Sequence, residues 1–308
     1  VPVPAPQREP IAISVLGARV PLACADETAE REVRATWGDA LVEVDDRELA
    51  PEAAGHGAAA PLSVPRAVAA LTPTLNTHLA HTRATELLLL RAAAVACPDT
   101  GTAVIVLAGS VAERPAAVSA LAGRMLHLSH DLVGVAADGT LATYHSPLIG
   151  EDGTATAPSA LPMGLAAGNN PVGALVVLHH ERDHVGPPVT ERLDTLDTFT
   201  ALAPHTASLS LLPHPLQRMV ELSRVTGGAT RITCADPADL AEVIGDVLAA
   251  ASPSRPPAPP VAVEPDPEVS DAAPAETDSN DQAGPPSPRR ALARGPPGHL
   301  HEFDGGPP

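Results

Sequence analysis

Short apolar runs alternate along the chain with stretches whose apolar residues recur every three or four positions, and this rhythm predicts the elements. Residues 11–15 and 20–24 read as strands around a Gly17-Ala18-Arg19 turn. Asp26-Glu27-Thr28 predicts the start of a helix reaching Trp37, with acidic side chains in the first turn, where the helix dipole favours them. Residues 41–44 suit another strand, 51–61 a loop, and 65–70 and 75–85 two helices. In the centre, 87–95 reads as one buried strand, Pro98-Asp99-Thr100-Gly101 as a turn, and 103–107 as a second apolar strand. A Gly109-Ser110 loop leads into a helix over 115–124. Strands follow at 126–128 and 132–135, with Asp138-Gly139 as a hairpin turn. Residues 174–179 form a further apolar strand, and 189–196, 216–224 and 237–250 are read as helices. Alternation of this kind predicts an α/β domain.

The last 57 residues, 252–308, carry 15 of the 36 prolines and few large apolar side chains. Such a composition buries too little surface to offset its ordering entropy, so a disordered tail is expected. Over the whole chain 44% of residues are apolar, enough for a sizeable core, yet the aromatics are just Trp37, Tyr144, Phe199 and Phe303. Alanine, valine and leucine must fill the interior. All 19 cationic side chains are arginine and none is lysine, a bias that fits a GC-rich bacterial genome. The absence of lysine excludes Schiff-base chemistry and a lysine general base. A net charge of -18 argues against nucleic acid as a partner. No apolar stretch is long enough to span a bilayer. Cys24, Cys97 and Cys234 are widely spaced, which favours reduced thiols and a cytoplasmic location.

The strand–loop–helix around Gly109-Ser110-Val111-Ala112-Glu113-Arg114-Pro115 has the setting of a phosphate-cradling loop. Its chemistry departs from GxxxxGK[ST]: Arg114 stands at the lysine place and Pro115 at the hydroxyl place, and Glu113 adds a negative charge. A structural β–α turn is the competing reading. The string Leu88-Leu89-Leu90-Arg91-Ala92-Ala93-Ala94-Val95, the strand and loop Val104-Ile105-Val106-Leu107-Ala108-Gly109-Ser110, and Leu128-Ser129-His130-Asp131-Leu132-Val133-Gly134-Val135 together resemble the core of HPr kinase/phosphorylase-like proteins. Asp138-Gly139, His145-Ser146-Pro147-Leu148 and the Ser/Leu/Pro-rich stretch 205–216 extend the likeness over roughly residues 13–250.

The resemblance implies an α/β fold of the P-loop type found in HPr kinases and phosphoenolpyruvate-carboxykinase-like proteins. It divides the chain into a small N-terminal α/β segment (1–86), a degenerate P-loop domain (87–251) and the tail (252–308). By the same likeness Arg91 replaces the family's histidine before the loop and Arg114 its lysine. Pro115 and Ala116 replace its hydroxyl residues, His130 its first aspartate, and Asp131 alone keeps the second. Gly109, Ser110 and Arg114 would then be a vestigial nucleotide loop and Asp131 a remaining proton acceptor, with Arg91 and His130 beside them. Phosphoryl transfer depends on positioning and charge neutralisation. Losing the lysine, the hydroxyl and one carboxylate therefore implies a pseudokinase-like binding, regulatory or scaffold protein of a bacterial pathway. No cofactor is expected, and a protein partner is, with self-association left open. The alternative is an active ATP- and magnesium-dependent kinase or phosphotransferase using arginine for its cations. A third option is an accessory protein of a peptide-modification gene cluster.

Arg91 lies in an apolar run, so a buried ion pair with Asp131 or Glu113 is expected, unless its side chain snorkels out at a sheet edge. Two histidine groups are candidate zinc ligands: His127, His130 and Asp131, and His179, His180, Glu181, Asp183 and His184. Adjacent strand histidines face opposite ways, so the second group favours a polar loop, and no metal is expected. No nucleophile elbow of the GxSxG kind is present around Ser110 or Cys97.

Overall fold

The computed structural model describes residues 11–42, 61–64, 68–150 and 154–250. The expected loop at 51–60, the start of the helix at 65 and the tail at 252–308 lie outside the described residues.

Strands β1 (Ile11–Val15) and β2 (Ala18–Ala23) form an antiparallel hairpin. Its turn is Leu16-Gly17, both at positive φ (48° and 72°), the geometry that matches strand twist in two-residue hairpins. Leu16 tolerates this uncommon conformation because its side chain is fully buried and its N–H donates to Thr143 O at 2.9 Å. Helix α1 (Glu27–Thr36) starts at Asp26, whose carboxylate accepts the Ala29 N–H at 2.8 Å. β3 (Leu41–Val42) pairs with β1, and β4 (Leu62–Ser63) runs parallel to β2, giving the order β3-β1-β2-β4. Helix α2 (Leu71–Thr82) buries Leu71, Leu75 and Leu79 in the same layer, with Val33 and Trp37.

The large sheet is mixed. It comprises β5 (Leu88–Leu90), β6 (Ala93–Ala96), β7 (Ala103–Ala108), β8 (Leu126–Ser129), β9 (Val133–Val135) and β10 (Thr140–Ala142). A small hairpin of β11 (Leu148–Ile149) and β12 (Ala155–Thr156) precedes the long β13 (Asn170–His180). The remaining strands are β14 (Val189–Arg192), β15 (Thr206–Ala207) and β16 (Ala229–Cys234). β13 is the hub, parallel to β7 on one side and β16 on the other, while its first residues pair with β10. Between β7 and β8 lies α3 (Glu113–Ala120); α4 (Thr195–Leu202), α5 (Pro215–Thr226) and α6 (Leu240–Ala250) complete the helices. The unbroken apolar run of β7 follows from cover on both faces. Ile105 and Leu107 pack towards Leu202, Met219 and Leu222 of α4 and α5. Val104, Val106 and Ala108 pack towards Val118, Leu240 and Ile244 of α3 and α6.

Several expectations need correction. The single strand expected over 87–95 is two, β5 and β6, because the chain bends at Arg91 to leave the β9 edge and join β7. The helix expected at 189–196 is an exposed strand followed by α4, which begins at Asp194, whose carboxylate accepts the Asp197 N–H. The β-branched Val189-Thr190 belong to the strand and Asp194 is the helix signal. Strand β16 had no counterpart in the sequence reading. α2 begins at Leu71 and ends at Thr82, and α3 spans 113–120 where 115–124 was expected.

Candidate functional site

β8 ends at Ser129, and a tight turn closed by Ser129 Oγ donating to Leu132 O (2.8 Å) presents His130 and Asp131 before β9 begins. Opposite stands the first turn of α3. There Arg114, 6% exposed, donates from Nη2 to Asp131 Oδ1 at 2.7 Å. The second carboxylate oxygen accepts from the Asn76 amide of α2, so the N-terminal layer fastens the same aspartate. Arg114 and Asp131, assigned to one site by the sequence reading, are thus in direct contact, with His130 beside them.

The loop between β7 and α3 is closed by its own residues. Glu113 Oε2 accepts the Ser110 N–H (3.2 Å) and Ser110 Oγ accepts the Glu113 N–H (3.3 Å). A side chain at Gly109 would meet the same carboxylate, since its Cβ would lie 3.5 Å from Glu113 Oε2. The other oxygen of Glu113 sits 3.6 Å from His180 Nδ1, and His180 Nε2 lies 2.9 Å from Ala235 O. Glu113 and His180 therefore tie together the carboxyl ends of β7, β13 and β16.

Arg91 does not take part. It is exposed at the bend between β5 and β6, and its backbone is what pairs: Arg91 N donates to His205 O at 2.7 Å, and His205 Nδ1 lies 3.2 Å from Arg91 O. The buried ion pair expected for Arg91 is made by Arg114, because the bend turns the Arg91 side chain out of the sheet.

Behind Asp131 lies a group of histidines, His127 and His130 buried and His145 half-buried. His130 Nδ1 is 3.3 Å from Ser146 Oγ, and the His127 ring stands 6.0 Å from His130 and 5.8 Å from His145. Burial pushes His127 down to about 3, with His130 and His145 adding to the effect. His130 falls to about 4, chiefly through burial; Asp131 opposes the shift and Arg114 reinforces it. Burial also lowers His145, against the bond to Ala166 O and the charge of Asp39. Tyr144, fully buried with its ring 6.2 Å from Trp37, is held well above the ordinary phenol range by burial and then by the Asp131 charge.

Among the described residues no group of three or more His, Cys, Asp or Glu side chains is placed to hold a metal ion. In the second histidine group His179 faces solvent while His180 turns inward, as strand alternation requires. Asn76, Tyr144, Ser146 and Trp37 belong to the site, although nothing in the sequence marks them as site residues. Their contacts join segments far apart in sequence, such as Asn76 and Asp131, and no local pattern marks them. No protein-family model matches the chain, and no curated protein matches it. The fold and site define a mixed α/β protein in which, among the described residues, the most buried cation is committed to an internal carboxylate. Among the described residues no helix is long and apolar enough to cross a membrane.

Proposed function

We propose that the chain is a catalytically degenerate relative of HPr kinase-like P-loop proteins, a pseudokinase-like component that works by binding a protein partner in the bacterial cytoplasm. The observation that carries this reading is the Arg114–Asp131 pair. The arginine at the phosphate-binding position has a side chain 7% exposed and spends its charge on Asp131 at 2.7 Å. The residue set does not suit a magnesium–nucleotide complex. Pro115 and Ala116 offer no hydroxyl for the metal, and the Glu113 carboxylate occupies the amide that a phosphate would need. The strand–loop–helix of β7 and α3, parallel to β13, supports the P-loop-type assignment. Cys24, Cys97 and Cys234 are joined by no disulfide, which supports a reducing compartment.

Calorimetric titration with ATP, with and without magnesium, tests the proposal. The expected result is no saturable binding in either case. Micromolar, magnesium-dependent binding would overturn it and favour an active phosphotransferase.

A further inference from the structure

The histidine group does more than fill space. His127, His130 and His145 converge where the N-terminal layer and residues 144–150 and 154–166 close over the end of β8. Three contacts fasten that junction: Asn76 to Asp131, the Trp37 ring against Tyr144, and Asp39 Oδ2 accepting the Ser159 N–H at 2.8 Å. The backbone of His127 is bound on both sides, its N–H to Gly164 O at 2.8 Å and its carbonyl to the Ala166 N–H at 2.9 Å. The junction also concentrates buried polar atoms with no hydrogen-bond partner. These include both ring nitrogens of His127, Nδ1 of His145, the Tyr144 hydroxyl, Nε1 of Trp37 and Nε of Arg114.

We propose that this junction is an acid-operated latch: taking up protons on its histidines releases the N-terminal layer and residues 144–150 and 154–166 from the end of β8, while the β7–β13–β16 sheet stays folded.

The argument rests on acceptors. A neutral imidazole can sit buried in apolar surroundings at modest cost, but an imidazolium carries two N–H donors and a charge, each needing a partner. His127 faces two other imidazoles and has no carboxylate in contact. Both oxygens of Asp131 are already taken, by Arg114 and Asn76. Asp39, which faces His145, already accepts a backbone N–H. Arg114, on α3, repels a proton arriving at His130 or at His205 nearby. Tyr144 is neutral and supplies no charge. A proton is therefore accommodated by opening the junction, which hydrates the rings. This matches the direction in which burial moves all three histidines, below their ordinary value. Because the open form binds protons more tightly, the opening constant rises about tenfold per pH unit for each such histidine below their ordinary pKa of about 6.5.

The test is hydrogen–deuterium exchange on the full chain at pH 7 and at about pH 5, corrected for intrinsic rates, with dilute protein because the pI is about 5.0. Peptides covering 125–130, 144–146 and 159–166 should lose protection at the lower pH, while those of β7, β13 and β16 keep it. Trp37, the single tryptophan, should shift its emission to the red over the same range with far-UV circular dichroism retained. In a His127→Leu, His145→Leu double variant the transition should move to lower pH, whereas His179→Asn, at an exposed position, should leave it in place. Unchanged protection at pH 5, or loss of protection across the whole sheet together with the junction, would overturn the latch in the wild-type chain whether or not the double variant folds.

Discussion

Asp131→Asn removes the charge facing Arg114 at 2.7 Å while nearly preserving the shape of the side chain. The charge centres of a guanidinium and a carboxylate in such contact lie about 4 Å apart, worth about 4 kcal/mol of gross attraction at an effective dielectric of ~20. Both groups also lose hydration on folding. What the variant measures is the penalty of leaving a guanidinium buried and uncompensated, typically about 3–5 kcal/mol. The Asp131 side chain is 23% exposed, so water screens part of the interaction and the cost falls below that range, to about 2–3 kcal/mol. Arg114→Met replaces the cation with an apolar side chain of similar reach and should cost less. The double variant should fall well short of the sum, with a coupling energy of about 2 kcal/mol. Urea denaturation followed by Trp37 fluorescence, with far-UV circular dichroism as a second probe, gives the four corners of the cycle. Additivity within about 0.5 kcal/mol would refute the buried pair and, with it, the argument that Arg114 is unavailable to a phosphate.

Tyr144 is the single tyrosine, and its phenol is raised by burial, so absorbance at 295 nm should show no phenolate at pH 10 until the protein unfolds. The sign follows: the unfolded chain releases that proton near its ordinary value, so stability falls as pH rises past about 10. Cys97 is lowered by hydrogen bonding from Thr100 and is partly exposed, whereas burial pushes Cys234 up to about 11. Alkylation at pH 8 should therefore label Cys97 well before Cys234, and Thr100→Val should slow it. Asp194→Ala removes the carboxylate that accepts the Asp197 N–H at 2.8 Å and should cost about 1 kcal/mol in urea denaturation. A neutral result there would mean that α4 is held by packing alone.

Local chemistry determined much of this protein before any packing is considered. Asp26 starts α1 because its carboxylate can satisfy a helix amide from within the same turn, and Asp138-Gly139 forms its hairpin because Gly139 reaches φ 79° without strain. The apolar run 103–108 had to be a covered strand, since nothing in it tolerates water. Glu113, placed three residues after Ser110, was within reach of the loop amide by spacing alone. Tertiary structure decided the rest. Whether 87–95 is one strand or two depends on which neighbours each half finds, and the bend that separates them is what sends Arg91 to the surface. The exposed strand β14 exists because β16 lies beside it, and neither segment carries a strong pattern of its own. The polar junction joins Trp37, Asn76, Arg114, His127, Asp131 and Tyr144 across more than a hundred residues. Burial there lowers the histidines below their ordinary range and sets Arg114 against its carboxylate, and burial is a property of the assembled layers that no single segment carries.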